Sequence, residues 1–139
     1  MSRRAETLPQ KAVDSEKVTI NLGHMDLGRV DLLVQEGFYS NRTDFIRTAI
    51  RNQLDRQAET VSQSVLRQSL ELGLREYSRA LLESVRATGE MLHIQVLGLA
   101  VIAADVSAEL ARATIARVYV LGAPQASTEV KNALRDRIG

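Results

Sequence analysis

The sequence predicts an α+β protein, and three features of the 139-residue chain support this fold class. Residues 17–22 alternate between polar and apolar side chains, as a half-buried strand does. The segments that follow, up to residue 88, space their apolar residues by three and four, as amphipathic helices do. Residues 91–139 contain two copies of an apolar run followed by a helical pattern, which predicts two strand-helix units with parallel strands.

The composition is that of a folded protein, with 45% apolar and 25% charged residues. The chain has no cysteine, which excludes disulfides, thiolate nucleophiles and cysteine-based metal sites. The N-terminal residues lack the apolar core of a signal peptide, and no run is long enough for a membrane span, so we expect a cytoplasmic protein without membrane contact. A net charge of +1 gives no argument for nucleic-acid binding, which must come from where the charges lie.

The strand predicted at residues 17–22 has no neighbouring strand nearby in the sequence. Its polar face carries Lys17, Thr19 and Asn21, and its apolar face carries Val18, Ile20 and Leu22. Because a lone strand leaves its backbone groups unpaired, we expect a second chain to pair with it as an antiparallel two-stranded ribbon. Such a ribbon fits the major groove of DNA, where Lys, Thr and Asn side chains reach base edges.

Two short helices are predicted after this strand. The first runs from Asp26 to Glu36 and ends at Gly37, which suits a left-handed cap. The second begins at Ser40 or Asn41 as its N-cap. Its apolar stripe consists of Phe45, Ile46, Ala49, Ile50 and Leu54.

Residues 17–57 resemble the ribbon-helix-helix DNA-binding domain of the Arc/MetJ/CopG superfamily. The resemblance depends on the alternating strand and on the residues between and after the helices, namely Gly37, Tyr39, Ser40, Asn41, Arg42, Asp44, Phe45, Ile46 and Arg47. It implies a bacterial or archaeal regulator that binds double-stranded DNA as a homodimer. It also implies that Lys17, Thr19 and Asn21 read bases, and that Ser40, Asn41 and Arg42 contact phosphate. A helix N-terminus favours phosphate on physical grounds as well, although Arg42 has the alternative of pairing with Asp44 or Glu36.

The remaining segments divide into three parts. Residues 1–16 are expected to form a flexible arm, in which Arg3, Arg4 and Lys11 are positioned to contact phosphates. Residues 58–90 are expected to form a long amphipathic helical connector, because apolar residues recur at four-then-three spacing from Leu66 onward. Residues 91–139 are expected to form the two-repeat α/β domain.

The repeat in residues 91–139 appears when the chain is shifted by 24 positions. Val96-Leu97-Gly98 then aligns with Val120-Leu121-Gly122, and a helix follows each copy, beginning near Asp105 or Ser127. Two copies are too few for a free-standing solenoid, so we expect the unpaired strand edges to join chains into a higher homo-oligomer. A compact domain packed on the long helix, with or without a small-ligand pocket, is the alternative.

The sequence gives little support for metal or enzyme chemistry. Nickel-responsive regulators also join a ribbon-helix-helix domain to a C-terminal domain, but they use a histidine cluster and a cysteine as ligands. Here His24 and His93 are far apart in sequence and no cysteine is present, so no metal or other cofactor is expected. No nucleophile motif or Gly-rich phosphate loop is present, so no enzymatic activity is expected.

Together these patterns predict a sequence-specific DNA-binding transcriptional regulator, either a repressor or a nucleoid-associated DNA-organising protein. The alternative is an antitoxin that represses its own operon and masks a toxin with its C-terminal part. Antitoxin C-termini tend to be disordered until bound, whereas residues 91–138 have the composition of a folded segment.

Overall fold

The computed structural model describes residues 15–139, which form two compact units. The first unit is Lys17–Ser64, and the second contains Val65–Gly139. The predicted contacts of Arg3, Arg4 and Lys11 lie outside the described residues.

The first unit is built from two short helices and the start of a third. These are α1 (His24–Gln35), α2 (Arg42–Arg56) and α3 (Ala58–Gln68), which continues into the second unit. Gly37 follows α1 with a φ of +90°, as predicted from its position, and Asn41 is the N-cap of α2. The first helix differs from the prediction at its start, because Gly23 and not Asp26 is its N-cap.

Residues 15–23 have no regular secondary structure, so the antiparallel ribbon predicted at residues 17–22 is not part of the single chain. A single chain forms no strand here for the same physical reason that led us to predict a ribbon between two chains. A strand is defined by hydrogen bonds to a neighbour, and the neighbour expected here belongs to another chain.

The single long helix predicted for residues 58–90 is wrong. The segment contains α3, then strand β1 (Glu71–Tyr77), then helix α4 (Arg79–Thr88). Ser69 at φ +56° and Gly73 at φ +105° have left-handed backbone conformations that a continuous helix does not accommodate. Leu72-Gly73-Leu74 is a further copy of Leu97-Gly98-Leu99, and its offset is one residue longer than that of the predicted 24-residue repeat. The second unit therefore has three strands where two were predicted.

The second unit is a three-stranded parallel sheet in the order β1-β2-β3, with β2 at Leu92–Ile102 and β3 at Ile115–Gln125. Helices α5 (Ala108–Thr114) and α6 (Thr128–Ala133) follow β2 and β3, and a 3-10 turn spans Arg135–Arg137. The register places Val96 opposite Val120 and Gly98 opposite Gly122, which is the alignment that the 24-residue shift predicts. Parallel pairing of the two repeat strands is therefore confirmed.

One face of the sheet and the three following helices form the core. Alternate residues of β2 point into it and are buried, as are residues from each helix: Leu82, Ile94, Val96, Ala100, Ile102, Leu110 and Val130. Each helix begins in the same way, because the side chains of Ser78, Ser107 and Ser127 each accept a hydrogen bond from the backbone N–H three residues on. The unit is thus three copies of a strand, a serine cap and a helix.

Three glycines lie side by side across the sheet, at positions 73, 98 and 122. All three have positive φ angles, of +105°, +140° and +123°. A Cβ atom on Gly98 would overlap the carbonyl oxygen of Gly73, and one on Gly122 would overlap that of Gly98. The close approach of neighbouring strands therefore requires glycine at positions 98 and 122.

Substituting Gly98 with alanine should lower the free energy of unfolding by roughly 2–4 kcal/mol, since it combines a backbone clash with a strained φ angle. Gly28 in α1 is the matched control, because a Cβ atom there meets nothing within 4 Å. Gly28→Ala should be neutral or stabilising by up to about 1 kcal/mol. Urea denaturation followed by circular dichroism compares the two variants, and equal stabilities would contradict the role given to the glycine row.

Candidate nucleic-acid interface

The segment predicted to read DNA is exposed on both of its faces. Lys17, Thr19 and Asn21 are exposed, as expected for side chains that meet DNA. The apolar residues between them are exposed as well, with Val18 at 77%, Ile20 at 57% and Leu22 at 42%. Three alternating aliphatic side chains with such exposure need a cover that the first unit of one chain does not provide.

The first unit also lacks a closed core. Within residues 17–64, Val30 is the one buried residue. Large apolar side chains of both α1 and α2 stay more than half exposed, including Leu32, Ile50 and Leu54. A unit of this size with one buried side chain does not bury enough apolar surface to offset its loss of conformational entropy. Its hydrophobic core is therefore incomplete without another polypeptide.

The turn that leads into α2 is held by reciprocal hydrogen bonds. The Asn41 side chain accepts a hydrogen bond from the Asp44 backbone N–H at 2.8 Å. The Asp44 carboxylate in turn accepts one from the backbone N–H of Ser40 at 2.9 Å. The rings of Tyr39 and Phe45 meet edge to face with their centroids 5.0 Å apart. These contacts fix residues 40–42 at the N-terminus of α2, which carries the partial positive charge of the helix dipole.

Arg42 is paired with a residue that the sequence analysis did not identify. Its guanidinium donates to both carboxylate oxygens of Asp31, at 2.8 and 2.9 Å, so the predicted alternatives Asp44 and Glu36 are not its partners. The hydrogen bonds from Arg42 hold the pKa of the Asp31 carboxyl below its ordinary value. This ion pair connects α1 to α2 and neutralises the charge that was predicted to contact phosphate. Eleven residues separate the two, and because they lie on different helices their contact depends on tertiary packing and not on helical periodicity.

Other candidate sites give no comparable constellation in the described part of the chain. Among residues 15–139, no group of three or more His, Asp or Glu side chains is placed to hold a metal ion. His24 begins α1, and His93 lies in β2 of the other unit. None of the helices in this part of the chain has the length and apolar character needed to cross a membrane.

Comparison with known proteins identifies the family. The model of the ribbon-helix-helix transcriptional regulator family matches residues 13–131, which include the parallel sheet as well as the two N-terminal helices. No curated protein and no solved structure gives a significant match. The sequence resemblance had covered residues 17–57 alone, and the family match extends it through both units. With most of its length matched, the chain belongs to the ribbon-helix-helix transcriptional regulator family.

Proposed function

We propose that the protein is a sequence-specific transcriptional regulator that reads the major groove of DNA with an antiparallel ribbon formed by residues 17–22 of two chains. The observation that carries this proposal is the exposure of Val18, Ile20 and Leu22 beside a first unit with one buried residue. Pairing two copies of the segment satisfies its backbone groups and turns these three side chains toward the helices of both chains. Membership of a DNA-binding regulator family supports the same arrangement.

In this arrangement Lys17, Thr19 and Asn21 lie on the outer face of the ribbon, because side chains alternate along a strand. A lysine reaches guanine acceptors, an asparagine pairs with adenine through two hydrogen bonds, and threonine contacts a base edge or the thymine methyl group. The backbone N–H groups at the start of α2, next to Ser40 and Asn41, suit a phosphate. Arg42 contributes through its ion pair with Asp31, which orients α2 against α1.

Repression or DNA organisation is favoured over the antitoxin alternative by the second unit. It has its own core, in which Leu82, Ile94 and Leu134 are almost completely buried. A toxin-masking segment that folds on binding would not carry a closed core of this kind. We further propose that the protein acts through binding alone, without enzymatic activity, in the cytoplasm and on the nucleoid.

The second unit is the self-association module in this proposal, but chain-to-chain addition at the sheet edges is not favoured. The outer strand β1 directs Glu71 and Arg75 toward the helix-covered side of the sheet, and the other outer strand, β3, contains Pro124. Inward charges and edge prolines are devices that prevent strand addition. The C-terminal residues also cover part of β3, because the Gly139 N–H donates to the Val118 carbonyl at 2.9 Å.

Substituting Ile20 with aspartate should abolish the dimer and specific DNA binding, since the carboxylate would be buried at the ribbon without a partner. Thr19→Asp is the matched control, because its carboxylate would lie on the outer face and leave the dimer intact. Sedimentation equilibrium measures the mass of each variant against the 15.4 kDa chain. A stable dimer of the Ile20→Asp variant would overturn the ribbon arrangement.

Substituting Asn21 with alanine should leave the fold and dimer unchanged but weaken discrimination for the operator by roughly 1–3 kcal/mol per lost base contact. Asn52→Ala, the same change at an exposed position of α2, should leave discrimination unaltered. The operator is first selected from random DNA fragments. A competition assay then gives, for each variant, the ratio of its affinity for the operator to its affinity for unrelated DNA. An equal loss of affinity for both DNAs would assign Asn21 to backbone contact and not to base reading.

Arg42→Ala should lower the melting temperature at neutral pH, and the difference from the parent should vanish in acid. The hydrogen bonds from Arg42 lower the pKa of Asp31 in the folded protein, so the contribution of the pair is fully present above the ordinary pKa of an aspartate and is lost as the pH falls through the folded value. Asp31→Asn should show the same loss, and the double variant no further loss. The salt dependence of DNA affinity tests the predicted phosphate contact of Arg42 separately. If the slope of log affinity against log salt concentration falls in magnitude by about one for each lost contact, Arg42 binds phosphate.

A further inference from the structure

The face of the parallel sheet that turns away from the helices carries an apolar surface that the proposed DNA-binding function does not use. Side chains alternate along each strand, so the residues between the buried ones of β2 lie on this face. The register extends the surface onto both neighbouring strands. We call it the leucine face, and it consists of Leu72, Leu74, Leu97, Leu99, Val101 and Leu121.

The leucine face is arranged in rows across the three strands. Leu72, Leu97 and Leu121 are opposite one another in register, and Leu74 and Leu99 form the next row. Leu72, Leu74 and Leu121 are 57%, 58% and 44% exposed. Leu97, Leu99 and Val101 on the central strand are half-buried. Parallel sheets are almost always covered on both faces, so a three-stranded parallel sheet whose outer strands leave apolar side chains exposed on one face is incomplete.

The polar surroundings of the leucine face mark it as an interface with defined limits. Gln95 and Tyr119 lie opposite each other next to the row of Leu97, and Glu76 and Gln125 lie on either side of Val101. The centre carries no charge. An apolar patch with a polar rim is the usual form of a protein contact surface, and an uncharged patch of this kind is complementary to a second copy of itself.

We infer that the leucine face packs against the leucine face of the other chain in the same DNA-binding dimer. This inference rests on the proposed dimer of residues 17–22. The face is roughly 14 Å wide and 16 Å long by the spacing of strands and residues, which is too small for a stable interface between separate molecules. A partner already attached through the ribbon is present at high effective concentration, and a small apolar contact is then sufficient.

The test uses the absence of cysteine from the chain, which makes a single introduced thiol the one reactive site. In the full-length Leu74→Cys variant the thiol lies at a position that is 58% exposed in one chain. Ser84→Cys, at an exposed position of α4 on the helix side of the sheet, is the control. If the two faces pack together, a maleimide should react at least about tenfold more slowly with the thiol at position 74 than with that at 84.

Two further variants identify what covers the face. Removing residues 1–14 from the Leu74→Cys variant should leave the thiol protected, and adding Ile20→Asp should expose it, because the second copy is then no longer held nearby. Leu97→Lys in the otherwise unaltered chain should weaken the dimer roughly 100-fold, as measured by subunit exchange. If the variant that combines Leu74→Cys with Ile20→Asp does not fold, the subunit exchange of Leu97→Lys tests the inference in its place.

Each remaining outcome overturns the inference. Equal reactivity of the two thiols would mean that the face is open, and protection lost with residues 1–14 would mean that the N-terminal segment covers it. A particle of four chains whose thiol stays protected when Ile20→Asp is added would place the contact between dimers. In all three cases specific DNA binding by the Leu74→Cys variant would leave the proposed function standing, whereas a parent protein that is monomeric would count against that function itself.

Discussion

The structure depends first on the incomplete core of residues 17–64. A single chain leaves the apolar side of residues 18–22 in water and buries Val30 alone among the residues of this unit. Such a unit gains too little from the hydrophobic effect to fold independently, because ordering each residue costs about 1–2 kcal/mol of conformational entropy. Folding of this unit and association of two chains are therefore expected to be one process. DNA affinity then depends on protein concentration through the dimer.

The second unit, in contrast, completes its hydrophobic core within one chain. Its three strand-helix copies bury a contiguous core, and the glycine row lets the backbones of neighbouring strands approach closely. A solenoid normally needs at least three repeats to cover its core, and this unit has three. The helices complete one face of the sheet, while the other face keeps Leu72, Leu74 and Leu121 exposed. Both units therefore present apolar surface that a second chain is suited to cover.

Much of this organisation could be predicted from the sequence where a pattern is local. The helix spacing after residue 23 and the 24-residue repeat each predicted an element or a register, and the pairing of Val96 with Val120 followed directly. The alternation at residues 17–22 predicted a strand that a single chain does not form. The strand at Glu71–Tyr77 was missed because Leu66, Leu70, Gly73 and Tyr77 also fit helical spacing. The copy of Leu-Gly-Leu at residues 72–74 was the signal that could have resolved this ambiguity. The Arg42–Asp31 pair had no such signal, because tertiary packing and not sequence spacing brings these side chains together.

The two proposed contacts between chains, at the ribbon and at the leucine face, also strengthen each other. A ribbon contact alone must hold two chains together against dilution, and a small sheet contact alone is too weak to do so. When both contacts join the same two chains, formation of the ribbon makes the contact between the leucine faces intramolecular. The combined affinity of the two chains then exceeds that of either contact alone. In the proposed dimer, stabilisation of this kind leaves the outer face of the ribbon, where Lys17, Thr19 and Asn21 are expected, free to be selected for the operator. Separation of these roles would explain how a first unit with so little core of its own can perform the DNA recognition proposed for it.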